Sequence, residues 1–139
     1  MTPTSSDLDI AAVTAWIAED PDPATRTELS ELMARHDKGD ASATAALTDA
    51  FNGTLTFGTA GLRGRLGGGP NRMNRAVVIR AAAGLSSYLR QTLGRGFTVV
   101  IGYDARHNSE QFARDTAAVV TGAELQRSEE RRVGKECRS

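Results

Sequence analysis

Cysteine is nearly missing: Cys137 is the only one in 139 residues, so no internal disulfide can form. Aromatic residues make up 5% of the chain. That is thin interleaving for a nucleic-acid surface built on stacking, and no nucleic-acid recognition motif appears. No apolar run approaches the length of a membrane span. The opening Met1-Thr2-Pro3-Thr4-Ser5-Ser6-Asp7 lacks the basic start and apolar centre of a secretory signal. Together these absences predict a soluble, cytoplasmic protein with neither membrane nor nucleic acid as partner. The sequence carries no signal for an oligomeric state.

Acid is missing from one long stretch. Between Phe57 and Gly102 there are seven arginines and no aspartate or glutamate. The formal net charge of +0 conceals this. Residues 1–56 hold ten acids against Arg26, Arg35 and Lys38, a net of −7. Residues 57–126 hold nine arginines against Asp104, Glu110, Asp115 and Glu124, a net of +5. Such a one-sided field concentrates an anionic partner, and small phosphorylated ligands fit it best.

What is present centres on Phe57-Gly58-Thr59-Ala60-Gly61-Leu62-Arg63-Gly64, which runs on through Arg65-Leu66 to Gly67-Gly68-Gly69-Pro70. Glycine lets the backbone approach a ligand and turn its N–H groups toward an anion. Arginine adds a permanently charged fork that suits phosphate. The plainer alternative is a glycine-rich turn with two solvated arginines.

The segment before this loop reads as helical. Asp7 or Ser6 can cap a first helix with Ile10, Val13, Trp16 and Ile17 on one stripe. Asp22 caps a second, with Pro23 at its first position, and Gly39 stops it. Asp40 caps a third, with Ala43, Leu47, Ala50 and Phe51 inward and Gly53 as its stop. His36 has no partner ligand at a useful spacing and reads as a packed or capping histidine rather than a metal ligand.

Leu55-Thr56-Phe57 starts a strand that leads into the glycine loop. A long helix follows from about Asn74 to Leu93, then the β-branched run Phe97-Thr98-Val99-Val100-Ile101, expected as a strand buried on both faces. That run ends in Gly102-Tyr103-Asp104-Ala105-Arg106-His107, and Asn108 or Ser109 caps a last helix to Gly122. The alternation is that of an α/β unit, in which ligands gather at the carboxyl ends of strands. Two strands are too few for a stable sheet, so an isolated chain is expected to be marginally folded, with the 97–101 edge exposed. The mixed-charge stretch 127–139 lacks periodicity and resembles the translation of a sequencing-adapter oligonucleotide, so it is expected to be foreign to the protein, Cys137 included.

On these residues the chain resembles the α-D-phosphohexomutases, the phosphoglucomutase and phosphomannomutase superfamily. The likeness rests on the 57–64 motif, on Asn71-Arg72-Met73-Asn74 before the long helix, and on Gly102-Tyr103-Asp104-Ala105-Arg106 followed by His107-Asn108-Ser109. The acidic helical extension resembles that of the branch containing phosphopentomutases. The resemblance implies an α/β fold: a helical extension over 1–54, then an incomplete first domain over 55–126 with a mixed sheet flanked by helices, then the tail at 127–139. It also implies a longer parent that moves a phosphoryl group through a phosphoserine and glucose 1,6-bisphosphate, assisted by Mg2+.

The serine loop Thr-Ala-Ser-His-Asn-Pro and the aspartate-rich metal loop of that family do not occur in this chain. No catalytic residue and no metal ligand are therefore assigned, and the chain alone is expected to be inactive. The resemblance makes Arg63 a contact to substrate phosphate or phosphoserine, supported by Thr59 and Gly61. Arg65, Arg106 and His107 are secondary candidates, and Asp104 and Arg106 are expected to brace their own loop. The alternative function is an autonomous sugar-phosphate or anion-binding module.

Overall fold

A computed structural model describes residues 8–94, 96, 98–123 and the backbone of 126–127. The chain divides into two compact units, Met1–Val77 and Val78–Ser139. Among the described residues no helix is long and apolar enough to cross a membrane.

The first unit is built on three short helices, α1 (Ile10–Glu19), α2 (Pro23–Asp37) and α3 (Ala41–Ala50). Each begins at an aspartate whose carboxylate takes up orphan N–H groups of the first turn. For α1 that residue is Asp9, whose Oδ1 accepts from the Ala12 N–H at 3.1 Å. The cap thus falls two residues after Asp7, because Asp9 is the acid that reaches the third helical N–H; Ser6 and Asp7 lie outside the described residues. Asp22 caps α2 through the Ala24 N–H, with Pro23 at the first helical position. Asp20 is buried in the turn between α1 and α2, accepting from the Asp22 N–H at 2.9 Å and from the Thr25 hydroxyl at 2.5 Å.

Asp40 caps α3 through the Ser42 and Ala43 N–H groups and also receives the Ser42 hydroxyl and Arg35 Nε. The Ser42 hydroxyl, and after it Arg35, lower its pKa from 3.8 to about 2. A depressed folded pKa contributes stability above the unfolded value, and that stability is lost as pH falls through the folded one. Thermal melts should therefore show the wild-type chain losing Tm between pH 4 and pH 2 more steeply than Asp40→Asn, which keeps a capping acceptor without the charge. Parallel curves would contradict the assignment.

His36 Nδ1 lies 2.7 Å from Thr44 Oγ1, and that hydroxyl donates to the Asp40 carbonyl. The hydrogen bond between the imidazole and the Thr44 hydroxyl ties α2 to α3, as a packed histidine does. The apolar faces of the helices meet at Val13, Trp16, Leu29 and Leu47, with Trp16 and Phe51 edge to face at 6.1 Å. Leucines buried this completely contribute about 1.5–3 kcal/mol each.

After α3 the chain forms β1 (Phe57–Gly58) and β2 (Gly61–Leu62), an antiparallel pair in register Phe57↔Leu62 and Gly58↔Gly61. The strand expected to begin at Leu55 begins at Phe57 and turns back at once. The chain then returns under the helices. Gly68 packs so tightly on Leu29 that an added Cβ would lie 2.7 Å from its side chain. Gly69, at φ +109°, would place one 2.8 Å from the Ala50 carbonyl. The carbonyls left over at the end of α3 are taken by Asn71, whose N–H donates to Ala50 O at 2.9 Å and whose amide donates to Asp49 O at 3.0 Å. Arg72 adds an ion pair with Asp49. The glycine run is thus a packing surface against α2 and α3.

In the second unit, α4 (Arg75–Leu93), which starts in the first, is followed by β3 (Thr98–Val99), α5 (Ser109–Gly122) and β4 (Gln126–Arg127). β3 and β4 pair in parallel with α5 as the crossover, which makes the fold α/β. The described part of the run, 98–101, departs from expectation: of these four residues Thr98–Val99 is strand, and Val100 is 65% exposed. Ile101 is buried on Ala113 and Ala117. The alternation arises because α5 covers one face of the run and no described element covers Val100. Phe97 and residues 128–139 lie outside the described residues, and with them most of the tail expected to be foreign.

Candidate functional site

The motif at 57–64 is a β-hairpin whose tip is the two-residue turn Thr59-Ala60. A turn this tight needs an unusual backbone at its closing position, and Gly61 supplies it at φ +104°. Gly58 and Gly61 are partnered across the hairpin, so their backbone groups do not form the converging nest that a glycine-rich loop suggests. The N–H groups left at the tip belong to Thr59 and Ala60, and Thr59 is exposed.

Arg63 and Arg65 follow directly. Both are exposed, and neither side chain has a hydrogen bond or ion pair among the described residues. Thr59 and Gly61 therefore lie in the hairpin, Arg63 directly follows its outgoing strand, and Arg65 lies two residues beyond. Gly64 sits between the arginines because an added Cβ would lie 2.7 Å from the Leu55 methyls. Two exposed guanidinium groups, unpartnered among the described residues and within a few residues of a hydroxyl and a tight turn, are chemically suited to a phosphoryl oxyanion.

In the second loop, Gly102–Ser109, the Asp104 carboxylate is met by donors from the loop itself. Asp104 Oδ1 accepts from the Arg106 N–H and from the Ser109 hydroxyl, both at 3.0 Å, and Oδ2 accepts from Arg106 Nε at 2.9 Å. These donors, the Arg106 N–H foremost, hold the Asp104 carboxyl below its ordinary value. Asn108 takes a left-handed φ of 68° at the start of α5 and caps it without a side-chain bond. His107 is exposed. A groove of about 620 Å³ runs beside this loop, lined by Val100, Tyr103, Phe112 and the Asp104–Arg106 pair. Arg106 is thus already engaged, whereas Arg63 and Arg65 are not engaged among the described residues.

One residue with a structural part in this site has no assigned role in the sequence reading. Asn74 caps α4 and bonds the glycine return at the same time. An asparagine directly before a long apolar-periodic run is the signal that finds its capping half; the other half is tertiary.

The segment 54–129 matches the family model described as Phosphoglucomutase/phosphomannomutase, alpha/beta/alpha domain I. The chain belongs to the phosphoglucomutase/phosphomannomutase family. It is 38% identical over 106 residues to the phosphoribomutase of Saccharomyces cerevisiae, covering 76% of this chain and 16% of that protein. It is 42% identical over 109 residues to a probable phosphoribomutase of Schizosaccharomyces pombe, covering 77% of this chain and 18% of that protein. With the phosphoglucomutase of Staphylococcus aureus RF122/ET3-1 it shares 42% over 77 residues, 55% of this chain and 14% of that one. This phosphoglucomutase/phosphomannomutase chain therefore spans less than a fifth of the length of these relatives. No solved structure matches it. The family match covers both the hairpin and the Asp104–Arg106 loop.

Proposed function

We propose that this chain carries the phosphate-gripping N-terminal part of a phosphosugar mutase. In this reading the parent enzyme is an isomerase that moves a phosphoryl group between C1 and C6, or C5, of a sugar through a phosphoserine and a sugar bisphosphate. Residues 1–54 form its helical extension, 55–126 part of its first domain, and 127–139 are foreign. Its place is the cytoplasm. The observation that supports the reading is the pair of guanidinium groups at Arg63 and Arg65, unpartnered among the described residues, directly after the Phe57–Leu62 hairpin.

Phosphoryl transfer is accelerated mainly by positioning and by neutralising charge on the transferring group. Arg63 is assigned the main phosphate contact, with the Thr59 hydroxyl and the turn at Gly61 beside it, and Arg65 adds field. Arg106 and His107 are secondary contacts, since Arg106 is shared with Asp104. The nucleophilic serine lies outside this chain.

Magnesium, which the family implies, finds no fitting set of ligands among the described residues. Among the described residues no group of three His, Cys, Asp or Glu side chains comes together. Both oxygens of Asp104, the carboxylate in the loop of Arg106 and His107, are taken by Arg106 and Ser109.

Titrating the 139-residue chain with glucose 1,6-bisphosphate should give saturable binding that unphosphorylated glucose does not. With glucose 1-phosphate, the bisphosphate and Mg2+ present, conversion should stay at the blank rate. Absence of binding overturns the phosphate-gripping role, and turnover above blank overturns the placing of the nucleophile outside the chain.

A further inference from the structure

We propose that Asn74 is the positioning residue of the Arg63–Arg65 segment: its amide holds the glycine return that fixes where Arg63 and Arg65 leave the backbone. Asn74 is 3% exposed and sits directly before α4. Its Nδ2 donates to Gly67 O and Gly69 O, both at 2.8 Å, and lies 3.3 Å from Arg72 O. Its Oδ1 accepts from the Val77 N–H at 2.9 Å. Both amide protons are engaged and the oxygen is engaged too, so one side chain joins the glycine return to the first turn of a 19-residue helix.

The tie reaches the arginines in two steps. Gly67, held through its carbonyl by Asn74, donates its N–H to Met73 O at 3.2 Å, and the Met73 N–H donates to Arg65 O at 2.7 Å. Leu66 and Met73 are thereby bridged in parallel. On the other side the hairpin ends at Leu62. Only Arg63-Gly64-Arg65 lies between these two anchors. A three-residue span fixed at both ends presents its guanidinium groups with little backbone freedom left to lose when a ligand binds. Releasing one end makes the same charges available without the same geometry.

This inference rests on the reading of Arg63 as a phosphate contact, and two variants separate them. Asn74→Asp is isosteric and keeps the acceptor for Val77 while turning both donors into a carboxylate that faces two carbonyls. Asn74→Ser keeps a good helix cap but lacks the reach to Gly67 and Gly69. The bisphosphate affinity of each variant is expected to fall about tenfold, because the ordering cost moves into the binding step. Hydrogen exchange at the Gly67 and Met73 amides is expected to quicken by about tenfold, while core amides of α2 and α3 such as Leu29 and Leu47 keep their protection.

Unchanged affinity together with unchanged Gly67 and Met73 protection in folded Asn74→Ser overturns the proposal. So does a loss of protection spread evenly over α2 and α3, which marks a purely structural residue. If the wild-type chain binds no bisphosphate, the phosphate reading fails by itself, and the exchange pattern still decides whether Asn74 clamps the glycine return.

Discussion

Gly69→Ala is expected to destabilise the first unit by about 3–5 kcal/mol, combining backbone strain with overpacking against a fixed group. Two costs meet at this position. The residue sits at φ +109°, beyond the small left-handed region that side chains tolerate. The new methyl would also lie 2.8 Å from the Ala50 carbonyl oxygen. That oxygen is backbone at the end of a helix and already accepts the Asn71 N–H, so moving it breaks a bond that satisfies α3. Gly39→Ala is the control: Gly39 is at φ +88° with nothing within 4 Å of its Cβ position, so strain alone should cost about 1 kcal/mol. Urea unfolding of both variants against the parent measures the difference. Equal losses would mean that the glycine run does not pack against α3 as described.

That contrast also explains what the sequence could and could not disclose. The helices were legible because their signals are local: Asp22 before Pro23, Asp40 before an alanine-rich stripe, Asn74 before a long periodic run. The direction of Gly67-Gly68-Gly69 was not legible. Glycine permits a ligand to approach and permits a helix to approach equally well, and only Leu29 and Ala50 decide between them. The hairpin was hidden for a related reason. Gly58 and Gly61 read as backbone open to an anion, but a two-residue turn pairs them with each other.

The described part of the 97–101 run departs for another reason: Thr98–Val99 is strand, but the burial expected on both faces is found on one. Its β-branched composition describes what such a segment does between two covering layers, whereas here α5 covers one side and Val100 is bare. In the second loop, the bracing of Asp104 by Arg106 was readable from residue type and spacing. The role of Asn74 was not, because its partners at Gly67 and Gly69 are carbonyls, which carry no sequence signature.

Arg63→Ala is expected to lower affinity for glucose 1,6-bisphosphate by about 10- to 100-fold, the range set by losing one charged hydrogen-bonded contact to phosphate. Because the Arg63 side chain is exposed and bonds nothing among the described residues, the same change should leave the melting temperature unaltered, so lost binding cannot be ascribed to unfolding. Arg63→Lys keeps the charge but not the planar fork, and is expected to fall between the two. Arg65→Ala tests whether field alone suffices. If long-range charge is the whole effect, Arg63→Ala and Arg65→Ala lose affinity equally, and 0.5 M salt abolishes the difference from wild type. If Arg63 makes the contact, it loses more than Arg65, and the Arg63→Lys deficit persists in salt, because the forked geometry is not screened. Equal and fully salt-sensitive losses would reduce the hairpin to a patch of positive charge and withdraw Arg63 from the phosphate.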